Sequence, residues 1–167
     1  MVFEVPKIKY SGKIKDIKIG VGPKALTIGG ENCYPFYLFE GMMANPPKIA
    51  FEVWDHEPQD WQAWAVEPFK DVIADPLAWA RKCIDVYGAE AIVLQLKSAD
   101  PNGMDRDVEE IIKVVKSVSD GIDVPLIVWG CANDEKDTVL LRRAAEVCEG
   151  KNVAIGPVSE KNSLLSD

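Results

Sequence analysis

The polar residues of this chain that could do chemistry follow directly on short apolar runs. Asp55-His56-Glu57 comes after Lys48 to Trp54, Lys97 to Asp100 after Ala91 to Leu96, and Cys131-Ala132-Asn133-Asp134 after Leu126 to Trp129 and Gly130. A further run, Ala25 to Ile28, opens into Gly29-Gly30-Glu31. Carboxylates, an amine, an amide, one imidazole and one thiol at such positions can hydrogen-bond an organic ligand or hold a proton on it. His56 is the chain's single histidine and reads as a base, a metal ligand or a surface residue; no second His at ligand spacing accompanies it. Cys33, Cys83, Cys131 and Cys148 are far apart and never form Cys-x-x-Cys, so neither zinc nor an iron–sulfur cluster has local support. Cys83 and Cys148 fall on the apolar sides of predicted helices as small core residues, whereas Cys131 follows a strand end and could face a ligand. No Gly-x-Gly-x-x-Gly opens a helix, and neither Gly-x-x-x-x-Gly-Lys-Ser/Thr nor Gly-x-Ser-x-Gly occurs.

The elements that must position these residues alternate. Leu126 to Trp129, opened by Pro125 and closed by Gly130, is too short for a buried helix and reads as a strand covered on both faces of a parallel sheet. Asn133 or Asp134 then stands where a helix N-cap belongs, ahead of Val139, Leu140, Ala144, Val147 and Cys148, and Asp137 suits the first turn of that helix. Asp75 is an N-cap with Pro76 at the first helical position, Leu77, Ala80, Ile84 and Tyr87 share a face, and Gly88 supplies the C-terminal stop. Val108, Ile111, Ile112, Val115 and Val118 mark a helix ending at Gly121. Ile17 to Gly22 and Ala25 to Ile28 read as a hairpin or two strands, residues 1–16 as an arm, residues 60–75 as a long loop, and Val153 to Gly156 as a final strand. The aromatic stretch Tyr34 to Met43 suits core filling or an apolar surface. The alternation predicts a parallel α/β sheet of about five strands.

At 167 residues, 47% hydrophobic and 28% charged, the chain has the composition of one globular domain. A net charge of −8 with scattered lysines argues against a nucleic-acid partner. No apolar run approaches the roughly 20 residues that span a bilayer, and the N-terminus has no leader pattern, so the expectation is a cytoplasmic protein without a membrane partner.

Several short motifs in one register carry a family resemblance. They are Thr27-Ile28-Gly29-Gly30, Pro35-Phe36 with Phe39-Glu40-Gly41, Phe51-Glu52-Val53, Pro68-Phe69 with Asp71-Val72-Ile73, and Trp79-Ala80 through Lys82-Cys83 to Tyr87-Gly88-Ala89. Ala99-Asp100-Pro101, Val128-Trp129-Gly130-Cys131 with Glu135-Lys136-Asp137, and Glu160-Lys161-Asn162 complete them. From about residue 14 to Asn162 the chain resembles the small subunit of the corrinoid iron–sulfur protein, the counterpart of the delta subunit of the acetyl-CoA synthase/decarbonylase complex.

The resemblance implies a (β/α)8 TIM barrel, of which residues 17–162 would be the N-terminal portion, about five strands in parallel order. It implies cobalamin shared with a large subunit that also carries the iron–sulfur cluster, so that this chain has none of its own. It further implies traffic with a methyltetrahydrofolate (or archaeal pterin) methyltransferase and with acetyl-CoA synthase, and no nucleophilic role. The residues expected to contact or enclose the corrin are Gly30, Glu31, Asp55, His56, Lys97, Asp100, Cys131, Asn133, Glu160 and Asn162, all at strand exits. The family continues where this chain ends in residues 163–167, so self-association of half-barrels or closure by a companion fragment is expected. Two other readings share the fold: a pterin-binding methyltransferase-like enzyme using Asp55, Asp100 and Asn133, and a structural interface subunit docking through Tyr34 to Phe39 and Trp61 with Trp64.

Overall fold

The computed structural model describes residues 3–4, 11–34, 37 and 41–160. Half of the N-terminal arm (residues 1–2 and 5–10), Pro35, Phe36, Phe39, Glu40, Asn162 and the 163–167 tail therefore lie outside the described residues.

Strands β1 (Ile17–Ile19) and β2 (Leu26–Ile28) form an antiparallel hairpin, Ile17 opposite Ile28. Four strands, β3 (Ala50–Trp54), β4 (Ala91–Gln95), β5 (Leu126–Trp129) and β6 (Ala154–Gly156), make one parallel sheet in sequential order. Among the described residues the parallel set is thus four strands, not five, because Ile17 to Gly22 and Ala25 to Ile28 are joined by only a few residues, too few for the crossover that parallel pairing requires. Sequential neighbours without a reversal are what a partial α/β barrel shows, in contrast to the switched order of doubly wound sheets.

Helices α1 (Ala63–Val66), α2 (Pro76–Asp85), α3 (Val108–Gly121) and α4 (Asp134–Val147) connect the strands. The stretch expected to be a plain loop, residues 60–75, contains α1 and a following 3-10 turn at Glu67–Phe69. Asp75 caps α2, its carboxylate accepting from the N–H groups of Leu77 (3.0 Å) and Ala78 (3.2 Å). Gly88 ends it with φ +69°, donating to the Ile84 carbonyl while Ala89 donates to that of Cys83. Asp107 caps α3 and Asn133 caps α4.

The helices cover one sheet face, leaving only Phe51 and Ile155 at its two edges half-buried. Val53, Ile92, Leu94, Val128 and Leu96 are fully buried against Trp79, Ala80, Cys83, Ile111, Val115, Val118, Leu140, Leu141 and Ala144. Each such aliphatic side chain contributes about 1.5–3 kcal/mol. The other face differs from expectation. Strand β5 was expected to be buried on both sides, yet Ile127 is only half-buried and Trp129 is 41% exposed, since four strands do not curl far enough to cover their own concave side.

The hairpin packs at the N-terminal end of the sheet. Gly20 donates to the Asn152 carbonyl (2.7 Å), Asn152 Nδ2 donates back to the Lys18 carbonyl (2.7 Å), and Lys24 pairs with Asp123 (2.7 Å). Asn152 and Asp123 lie just before β6 and β5. Gly20 has φ +81°, and a Cβ there would meet the Pro125 ring at 2.9 Å, so glycine is needed for this approach.

Candidate functional site

Parallel strands deliver their exits to one rim, and there the four parallel strands leave polar loops. Asp55 ends β3 with a carboxylate that is almost fully buried. Its Oδ1 accepts from the Ser98 N–H (3.0 Å) and faces His56 Nδ1 (3.2 Å), while its Oδ2 accepts from the Ser98 hydroxyl. A carboxylate can only accept, so in this contact His56 Nδ1 carries the proton. Because the hydroxyl and the imidazole share one acceptor, His56 does not take the Ser98 proton, and the three residues are not a hydrolytic triad.

A second buried carboxylate holds the neighbouring loop. Asp137, in the first turns of α4, accepts from the N–H groups of Cys131 (2.8 Å) and Ala132 (2.9 Å) and from the Cys131 thiol (3.3 Å). Any Cβ on Gly130 would overlap this carboxylate, and Ala132 sits at φ +66°, so the turn is tightly wound around Asp137. Burial, and next the Asp137 carboxylate, push the Cys131 thiol up to about 11, with the Asn133 backbone N–H opposing them. The thiol is protonated near neutral pH and is a donor, not a nucleophile.

Between these loops the concave face ends in one transverse row, Trp54, Gln95, Trp129 and Gly156, set by the strand register. Gln95 Nε2 donates to the Gly130 carbonyl at 2.5 Å, tying β4 to the β5 exit. Lys97 Nζ lies 5.7 Å above the Trp54 ring, His56 stacks obliquely on the same ring at 5.7 Å, and Trp61 meets it edge-on at 5.1 Å.

The structure brings together Asp55, His56, Lys97, Asp100, Cys131, Asn133 and Glu160 on the rim. Asp100 accepts from the Asn102 N–H (2.9 Å) in its own turn, and its charge is felt at Cys131. Asn133 accepts from the Lys136 N–H (3.0 Å) as a helix cap. Glu160 is exposed beside Ser159, whose hydroxyl reaches Asp134 (2.8 Å) across to α4. Gly30 and Glu31 are not brought to the rim: they belong to the hairpin layer, where Gly30 donates to the Ile14 carbonyl, Glu31 accepts from the Ile14 N–H, and Gly30 lies against Asp16 and Asn45. Asn162 lies outside the described residues. Trp61 and Trp64 part company: Trp61 packs against Trp54 and Trp79, while Trp64 is 78% exposed.

Ser98, Gln95 and the buried role of Asp137 were not among the expected site residues. Asp137 had a readable signal, since Asp137, Leu140, Leu141 and Ala144 follow the i, i+3, i+4, i+7 spacing of one buried face. Among the described residues no group of three or more His, Cys, Asp or Glu is placed to hold a metal ion, and no helix is long and apolar enough to cross a membrane.

A family model described as the CO dehydrogenase/acetyl-CoA synthase delta subunit matches residues 16–162. The acetyl-CoA decarbonylase/synthase complex subunit delta of Archaeoglobus fulgidus is 36% identical over 160 residues, covering 92% of this chain and 35% of that protein. The Methanothermobacter thermautotrophicus subunit delta is 35% identical, covering 89% of this chain and 38% of the relative, and subunit delta 2 of Methanosarcina acetivorans is 32% identical, covering 94% and 37%. The chain spans little more than a third of the length of these curated relatives.

Proposed function

Because this chain belongs to the CO dehydrogenase/acetyl-CoA synthase delta subunit family, we propose that it forms the first four strands of a (β/α)8 barrel whose mouth encloses the corrinoid of a methyl-carrying complex. The observation that carries this reading is the state of the hydroxyl and the thiol at the rim. The Ser98 hydroxyl is fully buried against Asp55 and burial pushes the Cys131 thiol up to about 11, so neither is presented to attack a substrate and the rim is built to hold a shape.

The residues suit a broad flat guest. Trp54, Gln95 and Trp129 offer a half-open, largely apolar row, and His56 Nε2, the Lys97 ammonium and the loop residues Asp100 and Glu160 supply a polar fringe that a macrocycle edged with amides can hydrogen-bond. The corrinoid, when bound, supplies the cobalt chemistry that takes and gives up a methyl group. Asp55 keeps His56 oriented, Asp137 keeps the β5 exit rigid, and the aromatic row excludes water from the reacting face. The complex would receive its methyl group from methyltetrahydrofolate or a pterin equivalent through a methyltransferase, and pass it to acetyl-CoA synthase.

The pterin-binding enzyme reading has less support. Of its three residues, Asp55 is enclosed by Ser98 and His56, and Asn133 is occupied as a cap. Coexpression with a corrinoid-bearing large subunit tests the proposal. Copurification, with a visible corrinoid spectrum altered relative to the large subunit alone, is expected; a large subunit that never copurifies with this chain contradicts it.

A further inference from the structure

Five aromatic rings form an unbroken ladder from the rim, through the core, to the surface. Trp54 meets Trp61 edge-on at 5.1 Å between ring centres, and Trp61 meets Trp79 in the same way at 5.7 Å. Phe69 lies 5.9 Å from Trp79, and Tyr87 lies 5.3 Å from Phe69. The rings come from the end of β3, the loop before α1, α2, the 3-10 turn after α1 and the turn after α2, so the fold assembles the ladder and no local spacing does. Trp79 in the middle is 1% exposed, whereas Tyr87 at the far end is 43% exposed and stacks on Phe51, nearer the start of β3.

Packing alone does not account for Trp79. Its indole N–H is buried and finds no acceptor among the described residues. Burying an unpaired donor costs free energy that a phenylalanine would avoid. What an indole has and a phenyl ring lacks is an accessible one-electron oxidation. An oxidised indole ordinarily sheds its N–H proton and is trapped as a neutral radical; without an acceptor, oxidised Trp79 keeps the proton and passes the electron vacancy on. Trp54 is arranged in the opposite sense. Its N–H donates to the exposed Glu52 carboxylate at 2.8 Å, which can hold the proton while the electron is missing and then return it. The Lys97 ammonium, 5.7 Å above the Trp54 ring, disfavours positive charge there and favours its movement inward.

We infer that Trp54, Trp61, Trp79 and Tyr87 relay an oxidising equivalent from the rim to the surface, with Phe69 as the bridge between the last two. A one-electron oxidant at the rim, of the class formed when a reduced redox centre meets peroxide, takes one electron from Trp54 and is itself reduced. Trp61 refills Trp54, Trp79 refills Trp61, and Tyr87 refills Trp79, the Tyr87 phenol losing its proton to solvent. The Tyr87 radical then takes a hydrogen atom from a solution thiol, and every ring is restored. The relay discharges at the surface an oxidation that would otherwise modify the rim. It does not use the corrinoid, and its test can fail while that reading stands.

The test attaches a ruthenium polypyridyl photo-oxidant to the rim through E57C in a C33A background, which leaves the buried Cys83 and Cys148 and the protonated Cys131. Glu57 is exposed and adjoins His56, whose ring lies against Trp54. A laser flash with a soluble one-electron quencher makes ruthenium(III), and transient absorption with electron paramagnetic resonance identifies the protein radical. A tyrosyl radical is expected in the labelled protein, and equally in Y37F, which alters an exposed tyrosine outside the ladder. It should be lost in Y87F, with a tryptophan radical in its place, and lost in W79F although Tyr87 is still present. Y87F removes one half-exposed hydroxyl and decides the matter should W79F not fold. A tyrosyl radical that persists in Y87F or forms in equal yield in folded W79F overturns the relay, as does ruthenium(III) that decays without any protein radical.

Discussion

The Asp55 carboxylate at the end of β3 receives both the backbone N–H and the hydroxyl of Ser98, which lies beyond the end of β4. Two neighbouring strand exits are thereby locked together at a point where neither side chain is open to solvent. The rim is shaped from beneath by buried acids.

Removal of that acid should be costly. D55A leaves the Ser98 N–H and hydroxyl and the His56 Nδ1–H without their acceptor, and should lower stability by about 2–4 kcal/mol. S98A removes one donor and retains the amide, and should cost about 1–2 kcal/mol. Urea titrations measure both; a D55A midpoint equal to wild type would show that the carboxylate does not hold the exits.

The Asp137 loop makes a parallel prediction. G130A introduces a Cβ that overlaps the Asp137 carboxylate, and D137A frees the Cys131 and Ala132 N–H groups in a buried turn. Each should destabilise the protein by about 2–4 kcal/mol. Amide exchange at residues 131–133 should quicken in both variants, and unchanged exchange would remove Asp137 from its structural role.

Alkaline pH should weaken the fold. Burial pushes both the Cys83 and the Cys131 thiols up to about 11, while an unfolded thiol ionises near about 8.5. The raised folded values mean that this stability is complete below about pH 8.5 and is lost as pH rises toward about 11, because the unfolded chain gives up its protons first. Urea midpoints at pH 8 and 10.5 should differ in wild type and differ less in a C83A/C131A variant. Native-state alkylation of these thiols at the rate of a free cysteine at pH 8.5 would contradict the assignment.

Trp61 and Trp64, close in sequence, should behave oppositely. Trp61 lies between Trp54 and Trp79, so W61A should cost about 3 kcal/mol. Trp64 is exposed on α1, so W64A should leave the melting temperature unchanged while weakening association with a large subunit. A destabilised W64A would place Trp64 in the fold and not in an interface.

Much of the scaffold was legible because local rules agreed with the tertiary fold. The Asp75-Pro76 start and Gly88 stop framed α2, and the spacing of Val108, Ile111, Ile112, Val115 and Val118 framed α3. The β5 exit with its Asn133 cap also stood where expected. What was not legible depends on long-range closure. An apolar run such as Leu126 to Trp129 looks the same whether one or both faces are covered, so the half-open concave side could not be read. Gly29-Gly30-Glu31 has the composition of a strand exit, and only the antiparallel pairing of Ile17 with Ile28 assigns it to the hairpin layer. The pairing of Ser98 with Asp55 spans 43 residues, and no local spacing encodes it.

The most direct test of an enclosing rim is amide hydrogen exchange on this chain with and without a corrinoid-loaded large subunit. The account predicts protection at residues 55–57, 96–100, 130–133 and 157–160, with the hairpin at 17–31 unchanged. Protection confined to the hairpin, with the four strand exits exchanging as freely as in the isolated chain, would contradict it.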